Sequence, residues 1–366
     1  MKFKKFILNV LFLCLLTNLS FVSISYAAWT FYIIDSKADV GKYNAIAVDW
    51  SGNPYIVYLD GSNKDLKLAR SEDDVWYLST IDSNGEVGWY PSLIVSADGV
   101  VYISYIDWTN DFLKLATNIN GSFKNYIIDQ HTGPFNSIAV DRNGKIHLSY
   151  LDNTKNDLKY ATNAAGAWFV STVDWSGDVG FFNSIAVDDK GYAYISFMDA
   201  TKGNLKFATD ASGSWHVTTI DSNVNVGRFT SIAVDKAGNS HISYQDAQNE
   251  HLKYATNSTG KWTIEKIDSE GKVGSHSSLT LDKDDNVHIS YFDVSKSNIK
   301  YATNISAGTW KTYTVDDSGT CSEYSSIAVD RFGTVHISYY DGYIKSLKYS
   351  VNSGLDFIDA NSTHYK

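Results

Sequence analysis

Aspartate returns at three fixed places in this sequence, and a carboxylate can serve as acid, base, metal ligand or hydroxyl acceptor. One series ends an apolar run: Asp49, Asp141, Asp188, Asp235, Asp282 and Asp330. A second closes runs of the type HISYQD: Asp60, Asp107, Asp152, Asp199, Asp246, Asp293 and Asp341. A third closes runs that mostly begin with tryptophan: Asp35, Asp82, Asp129, Asp174, Asp221, Asp268 and Asp316. A catalytic acid is needed once, not in every copy of a repeat, whereas an aspartate at a turn caps free backbone N–H groups. All three series are therefore expected to be structural. His147, His241, His288 and His336 share a position with Tyr55, Tyr102 and Tyr194. Metal ligation does not exchange His for Tyr so freely, so a packed, hydrogen-bonding position is expected. Asp282, Asp284 and Asn286 imitate part of a calcium loop but lack its glycine and closing glutamate. These residues predict no catalytic set, no metal site and no cofactor.

The residues that depart from the repeat are better candidates for chemistry. Trp50, Trp89, Trp108 and Trp175 fall outside the tryptophan position of the repeat. Trp89 and Trp175 are expected in long crossing loops, and Trp108 in the loop after the second run. Both loop types open on one face, so these three should gather over repeats two to four. His131 lies in the altered connection DQHTGPFNS. Exposed aromatic faces beside carboxylates suit sugar rings, whose C–H faces stack while their hydroxyls reach the acids. The candidate ligand-binding residues are Trp89, Trp108, Trp175, Asp107 and His131.

The elements that carry these residues follow from the repeat. AIAVD at Ala45, SLIVS at Ser92, SIAVD at Ser137, Ser184, Ser231 and Ser326, and SLTLD at Ser278 are spaced by 47, 45, 47, 47, 47 and 48 residues. Each is followed by a YISYID-like run, an LKYA-like run and a run led by Trp or Phe. The runs are rich in Val, Ile, Tyr and Thr and bounded by Asp, Asn and Gly, which is strand-and-turn composition. Seven copies of four strands at this period predict an all-β, seven-bladed β-propeller over residues 29–350, with the SIAVD strand innermost. The chain begins on an outermost-type strand, WTFYIID, and ends on three inner ones. The N-terminal strand should therefore complete the last blade. The segment after residue 350 faintly repeats an outer strand without its Trp, and it should lose that competition and remain a tail (residues 351–366).

The turns TNAAGAW, TDASGSW and TNSTGKW resemble the Asp-box hairpin of sialidase-like propellers, where Trp also leads the fourth strand, although Asn usually stands for Asp here. The layout is also similar to that of propeller lectins. The resemblance implies the fold and leaves activity open. Sialidases hold a carboxylate with three convergent arginines. This chain has Arg70, Arg142, Arg228 and Arg331. The strand order puts Arg228 at one face and the others in turns at the opposite face, which disfavours sialidase activity.

Composition narrows the partners. MKFKK followed by FILNVLFLCLL and the small-residue ending SISYAA reads as an export signal, residues 1–28. A secreted, periplasmic or cell-surface location is expected, with no membrane span in the mature chain. One cysteine, Cys321, then remains, so no internal disulfide can form. The net charge of −10, or −13 without Lys2, Lys4 and Lys5, repels phosphate backbones and argues against nucleic acid. The reading that results is an exported, non-enzymatic recognition module that binds carbohydrate or an extracytoplasmic protein on the crossing-loop face. The alternatives are a polysaccharide hydrolase or lyase with a central cleft, and a structural propeller of an envelope assembly.

Overall fold

A computed structural model describes residues 29–306 and 308–352. The expected export signal, and the tail beyond Asn352, lie outside the described residues. The described strands form seven four-stranded antiparallel sheets. In six of them chain order is spatial order. In the seventh the order starts with the N-terminal strand Thr30–Asp35, which lies beside Ser346–Asn352. Thr30 faces Val351 and Tyr32 faces Tyr349 in that register. The fold is the seven-bladed β-propeller, and blades 1 to 7 are numbered from the inner strand Val40–Val48.

Burial follows position in the blade. Second strands such as Ser240–Asp246 are buried along their whole length because a blade packs on each face. Outer strands such as Thr263–Asp268 are largely exposed. Five of the tryptophans that lead an outer strand pack edge-on against an aromatic ring of the preceding blade. Trp215 meets Tyr160 at 5.0 Å, Trp262 meets Phe207 at 5.1 Å and Trp310 meets Tyr254 at 5.0 Å. The same contact spans the closure, where Trp76 meets Tyr349 and Trp29 meets Tyr301.

The three aspartate series are structural. Asp235 accepts the N–H groups of Ala237 and Asn239 in the turn after the inner strand. The histidines of the next strand bridge this turn to the blade: His241 Nδ1 pairs with the Tyr254 hydroxyl at 2.5 Å and Nε2 faces Asp235 at 3.3 Å. Asp246 caps the following turn through Asn249. The outer-strand series joins blades. Six of its carboxylates accept a tyrosine hydroxyl of the next blade at 2.6–2.8 Å. All seven accept a lysine of the next blade, from the LKYA-like strand. Blade 4 has Phe197 in place of the tyrosine, and there Lys206 also reaches Ser176. Burial works to raise these carboxyls, but the lysine, hydroxyl and backbone N–H donors outweigh it and hold them below the usual range.

One expectation about the strands is corrected. The inner strand does not begin at SIAVD. It begins about five residues earlier, as Val226–Val234 rather than from Ser231. Val226 pairs with Asp246, and the register then shifts twice before Ser231 meets Ser243. Much of the expected crossing loop is therefore an irregular first half of the inner strand. A glycine enforces the bend. At Gly88, with φ of +82°, a Cβ would sit 2.7 Å from the Leu66 Cα of the preceding blade, so only hydrogen fits. Arg70 likewise lies within the strand Asp65–Glu72, not in a turn, because that hairpin pairs through Glu72 and Val75.

Candidate functional site

The irregular half of each inner strand places one ring at the mouth of the central channel. The residues are Tyr43, Tyr90, Phe135, Phe182, Phe229, His276 and Tyr324, one from each blade. Each has a positive φ, between 49° and 76°. A side chain with a Cβ pays about 1–2 kcal/mol to adopt this left-handed conformation. Here it turns every ring toward the axis instead of into a blade. The seven side chains touch in a closed circle. Going round from Tyr43, successive ring centroids are 4.4, 5.3, 4.4, 4.7, 3.9, 4.9 and 4.3 Å apart.

Above and between these rings lies a funnel of about 380 Å³ on the crossing-loop face. The residue that follows each aromatic also lines it: Asn44, Pro91, Asn136, Asn183, Thr230, Ser277 and Ser325. Glu323 is the one carboxylate in the lining among the described residues. The circle is not uniform. Blades 7, 1 and 2 contribute three tyrosines, and blades 3, 4 and 5 contribute three phenylalanines. Burial, and then the neighbouring Tyr324 hydroxyl, hold the Tyr43 phenol protonated well above its ordinary range. The hydroxyl-bearing arc is therefore neutral. His276 is pushed down to about 3 by burial between Phe229 and Tyr324, so it is a neutral imidazole at pH 7.

The residues singled out from the sequence distribute around this funnel unevenly. Trp89 is not in a loop: it is the first residue of the strand Trp89–Val95, beside Tyr90 of the circle. It stacks on Trp108 at 6.1 Å, and its ring lies 5.5 Å from Tyr43. Trp108 also reaches Tyr90, at 6.3 Å. These two tryptophans, both on blade 2 and packed against the core it shares with blade 3, therefore extend the aromatic surface outward from the funnel. Trp175 is exposed at 72% in the connection between blades 3 and 4, and no aromatic ring contacts it among the described residues. Asp107 is buried, and its carboxylate accepts from the backbone and side chain of Asn110. His131 is exposed between the strands Lys124–Gln130 and Thr132–Val140, and its carbonyl accepts from Asn153. Trp50 lies on the opposite face, where the Arg331 guanidinium sits 4.6 Å over its ring. No arginine lines the funnel among the described residues.

Sequence reasoning missed the circle itself. Its signal was present: an aromatic or imidazole ring stands two residues before the inner run in every copy, as in GKYNA, GFFNS and GSHSS. Reading those residues as crossing loop hid the column. No cluster of three or more His, Cys, Asp or Glu residues with metal-binding geometry occurs among the described residues. No described helix is long and apolar enough to cross a membrane.

No family model matches the sequence, and no curated protein matches it. Solved structures do match at the level of the fold. A lectin from Aleuria aurantia, solved with Fucα1-6GlcNAc, superposes with a TM-score of 0.56 at 12% identity, over 77% of this chain and 97% of the lectin. A protein of unknown function from Dyadobacter fermentans gives 0.54 at 12% identity, over 88% and 97%. The NanB sialidase of Streptococcus pneumoniae gives 0.51 at 11% identity, over 89% and 71%. What this chain shares with the Aleuria aurantia lectin and the NanB sialidase is the propeller architecture.

Proposed function

We propose that this protein is an exported carbohydrate-recognition propeller whose site is the funnel on the crossing-loop face. The observation that carries the reading is the closed circle of seven left-handed rings around the funnel. Left-handed backbone is held at one level in all seven blades, and such outliers gather at functional sites. Six of the rings are aromatic and one is a neutral imidazole. Together they offer apolar faces on one side and phenolic hydroxyls on the other, which matches a sugar ring with a C–H face and a hydroxyl edge. The Trp89–Trp108 stack continues that surface and gives a second saccharide unit somewhere to lie. The lectin neighbour supports the reading as an analogy of fold alone. Glycoside hydrolysis ordinarily takes a pair of carboxylates, and the funnel lining presents only Glu323 among the described residues.

Trp175, His131 and Asp107 enter this proposal only at the periphery. Trp175 would reach a ligand that extends across blades 3 and 4, and Asp107 serves by shaping the loop that holds Trp108. The test is a glycan array probed with the residue 29–366 chain, repeated with Trp108→Ala and Tyr90→Ala. Retention on a defined glycan set, lost in both variants, is the expected result. A chain that binds no glycan, or variants that bind unchanged, would remove the funnel from consideration.

A second reading rests on the outer strand of blade 7, where Phe31, Tyr32 and Ile33 are all exposed. An edge strand of this kind can pair with another chain. Sedimentation of the same chain distinguishes it: a monomer at tens of micromolar removes self-association through that edge.

A further inference from the structure

We infer that the saccharide is held at one seam of the funnel, between blades 1 and 2, where it donates a hydroxyl to the main-chain carbonyl of Tyr43. This rests on the carbohydrate reading above and adds to it the place and the polar contact.

Around the channel, the residue after each ring acts as a latch on the blade before it. Asn44 donates to the carbonyl of Tyr324, Asn136 to that of Tyr90 and Asn183 to that of Phe135, at 2.8–2.9 Å. Ser277 and Ser325 do the same to Phe229 and His276, at 2.8 and 3.1 Å. A serine on the second strand of the preceding blade supports each latch, as Ser104 supports Asn136 and Ser338 supports Asn44. An inner-strand serine adds a third link by accepting a backbone N–H of the next blade, as Ser92 does from Ile138. At the seam between blades 4 and 5 the Thr230 hydroxyl turns to Ser196, but the polar pair is kept.

One seam lacks all three links. Between blades 1 and 2 the latch position is Pro91, the supporting position is Val57 and the inner-strand position is Ala45. Both members of the side-chain pair have become apolar together, so neither is left as a buried orphan, and the exchange is close to neutral for stability. Its consequence falls on the backbone. Proline and its ring carry no donor, so the Tyr43 carbonyl lacks the side-chain partner that five of its counterparts have. The indole N–H of Trp89, whose ring reaches Tyr43 of blade 1 but packs against the core between blades 2 and 3, is likewise buried without a hydrogen-bond partner.

The surroundings suit a sugar. Tyr43 lies at the centre of the tyrosine arc, with Tyr90 at 4.4 Å and Trp89 at 5.5 Å, and Trp108 stacks behind Trp89. A pyranose could lay its C–H face on these rings and point a hydroxyl at the Tyr43 carbonyl, which no side chain answers. Among the described residues, no other seam combines a carbonyl without a side-chain donor with a neighbouring tryptophan. The near-sevenfold funnel therefore binds one ligand per chain, not seven.

The experiment uses methyl glycosides of fucose, galactose, glucose, mannose and N-acetylglucosamine in titration calorimetry against the residue 29–366 chain. The tightest binder is then titrated into the Val57→Ser/Pro91→Asn double variant, which copies the latch of the other seams and alters no aromatic residue. One site per chain, and at least a tenfold loss of affinity in a double variant whose melting temperature is unchanged, is the expected result. Unchanged affinity, or several equal sites, overturns the seam while leaving carbohydrate binding in place. A parent chain that binds none of the glycosides overturns both. If the double variant does not fold, fluorine NMR of the parent labelled with 5-fluorotryptophan decides the matter. Ligand should shift the Trp89 and Trp108 resonances and leave Trp50 in place, whereas a shift at Trp175 without one at Trp89 overturns the proposal.

Discussion

The Tyr105 hydroxyl of blade 2 donates a 2.7 Å hydrogen bond to Oδ2 of Asp82 in blade 1, and the Lys114 ammonium lands on the same oxygen. Every seam carries a version of this latch, including the one that the N-terminal strand makes through Asp35 with Tyr58 and Lys67. The stability of the ring is thus tied to buried charges as well as to apolar packing.

Removing Asp82 leaves the buried Lys114 with only the more distant Asp107 carboxylate, at 3.7 Å, and breaking a buried ion pair costs about 3–5 kcal/mol. Asp82→Ala should lower the urea-unfolding free energy by that amount. The double change Asp82→Ala/Lys114→Met removes the stranded charge as well and should recover part of the loss. A double variant as unstable as the single one would show that the ion pair contributes little beyond packing.

The same carboxylates set the response to acid. Their pKa values are depressed in the folded chain, Asp316 to about 2, relative to about 4 when unfolded. A depressed acid contributes stability that is complete above its unfolded pKa and is lost as pH falls through its folded one. The melting temperature should therefore drop most steeply between about pH 4 and pH 2 as seven latches protonate. Retained cooperative melting at pH 2 would contradict the shifts.

The architecture was legible because repetition makes it so. Seven spaced copies of SIAVD and YISYID leave few other folds, and the order of strand types at the two ends announced the closure by Thr30–Asp35. The capping aspartates were legible for the same reason. The latch lysines, such as Lys67 and Lys114, were not, because a lysine flanked by apolar residues reads as an exposed position until the neighbouring blade supplies its carboxylate. The funnel was hidden for a different reason. Its rings sit in a left-handed, bulged stretch that has no alternating pattern, so Tyr43 and Phe182 looked like loop residues. The pairing of Trp89 with Trp108 was anticipated as proximity on one face, but their junction with the circle depended on that bulge.

Closure by the first strand can be tested in parts. A chain lacking residues 29–35 loses the pairing of Thr30–Asp35 with Ser346–Asn352 and the Asp35 latch together. It should lose more stability than Asp35→Ala, which removes only the latch. A synthetic peptide of sequence WTFYIID, added in excess, should raise its melting temperature by mass action. Equal stability of the truncated and full chains would mean that the edge of Ser346–Asn352 needs no partner.

His276 offers the narrowest test of the funnel's interior. Its imidazole lies 3.9 Å from the Phe229 ring and 4.9 Å from that of Tyr324, and its Nδ1 meets the Ser275 hydroxyl at 2.9 Å. Burial lowers its pKa to about 3, against about 6.5 in an unfolded chain. Between those values the unfolded chain binds a proton that the folded one refuses, so stability falls as pH is lowered through that window. His276→Phe supplies the ring that blades 3, 4 and 5 already use and has nothing to titrate. At pH 7 the variant should melt close to the unaltered chain. At pH 4.5, before the aspartate latches begin to protonate, it should be the more stable of the two. If the melting temperatures of the two chains fall in parallel from pH 7 to pH 4.5, the imidazole is not held neutral, and the circle around the funnel is more open to water than these contacts imply.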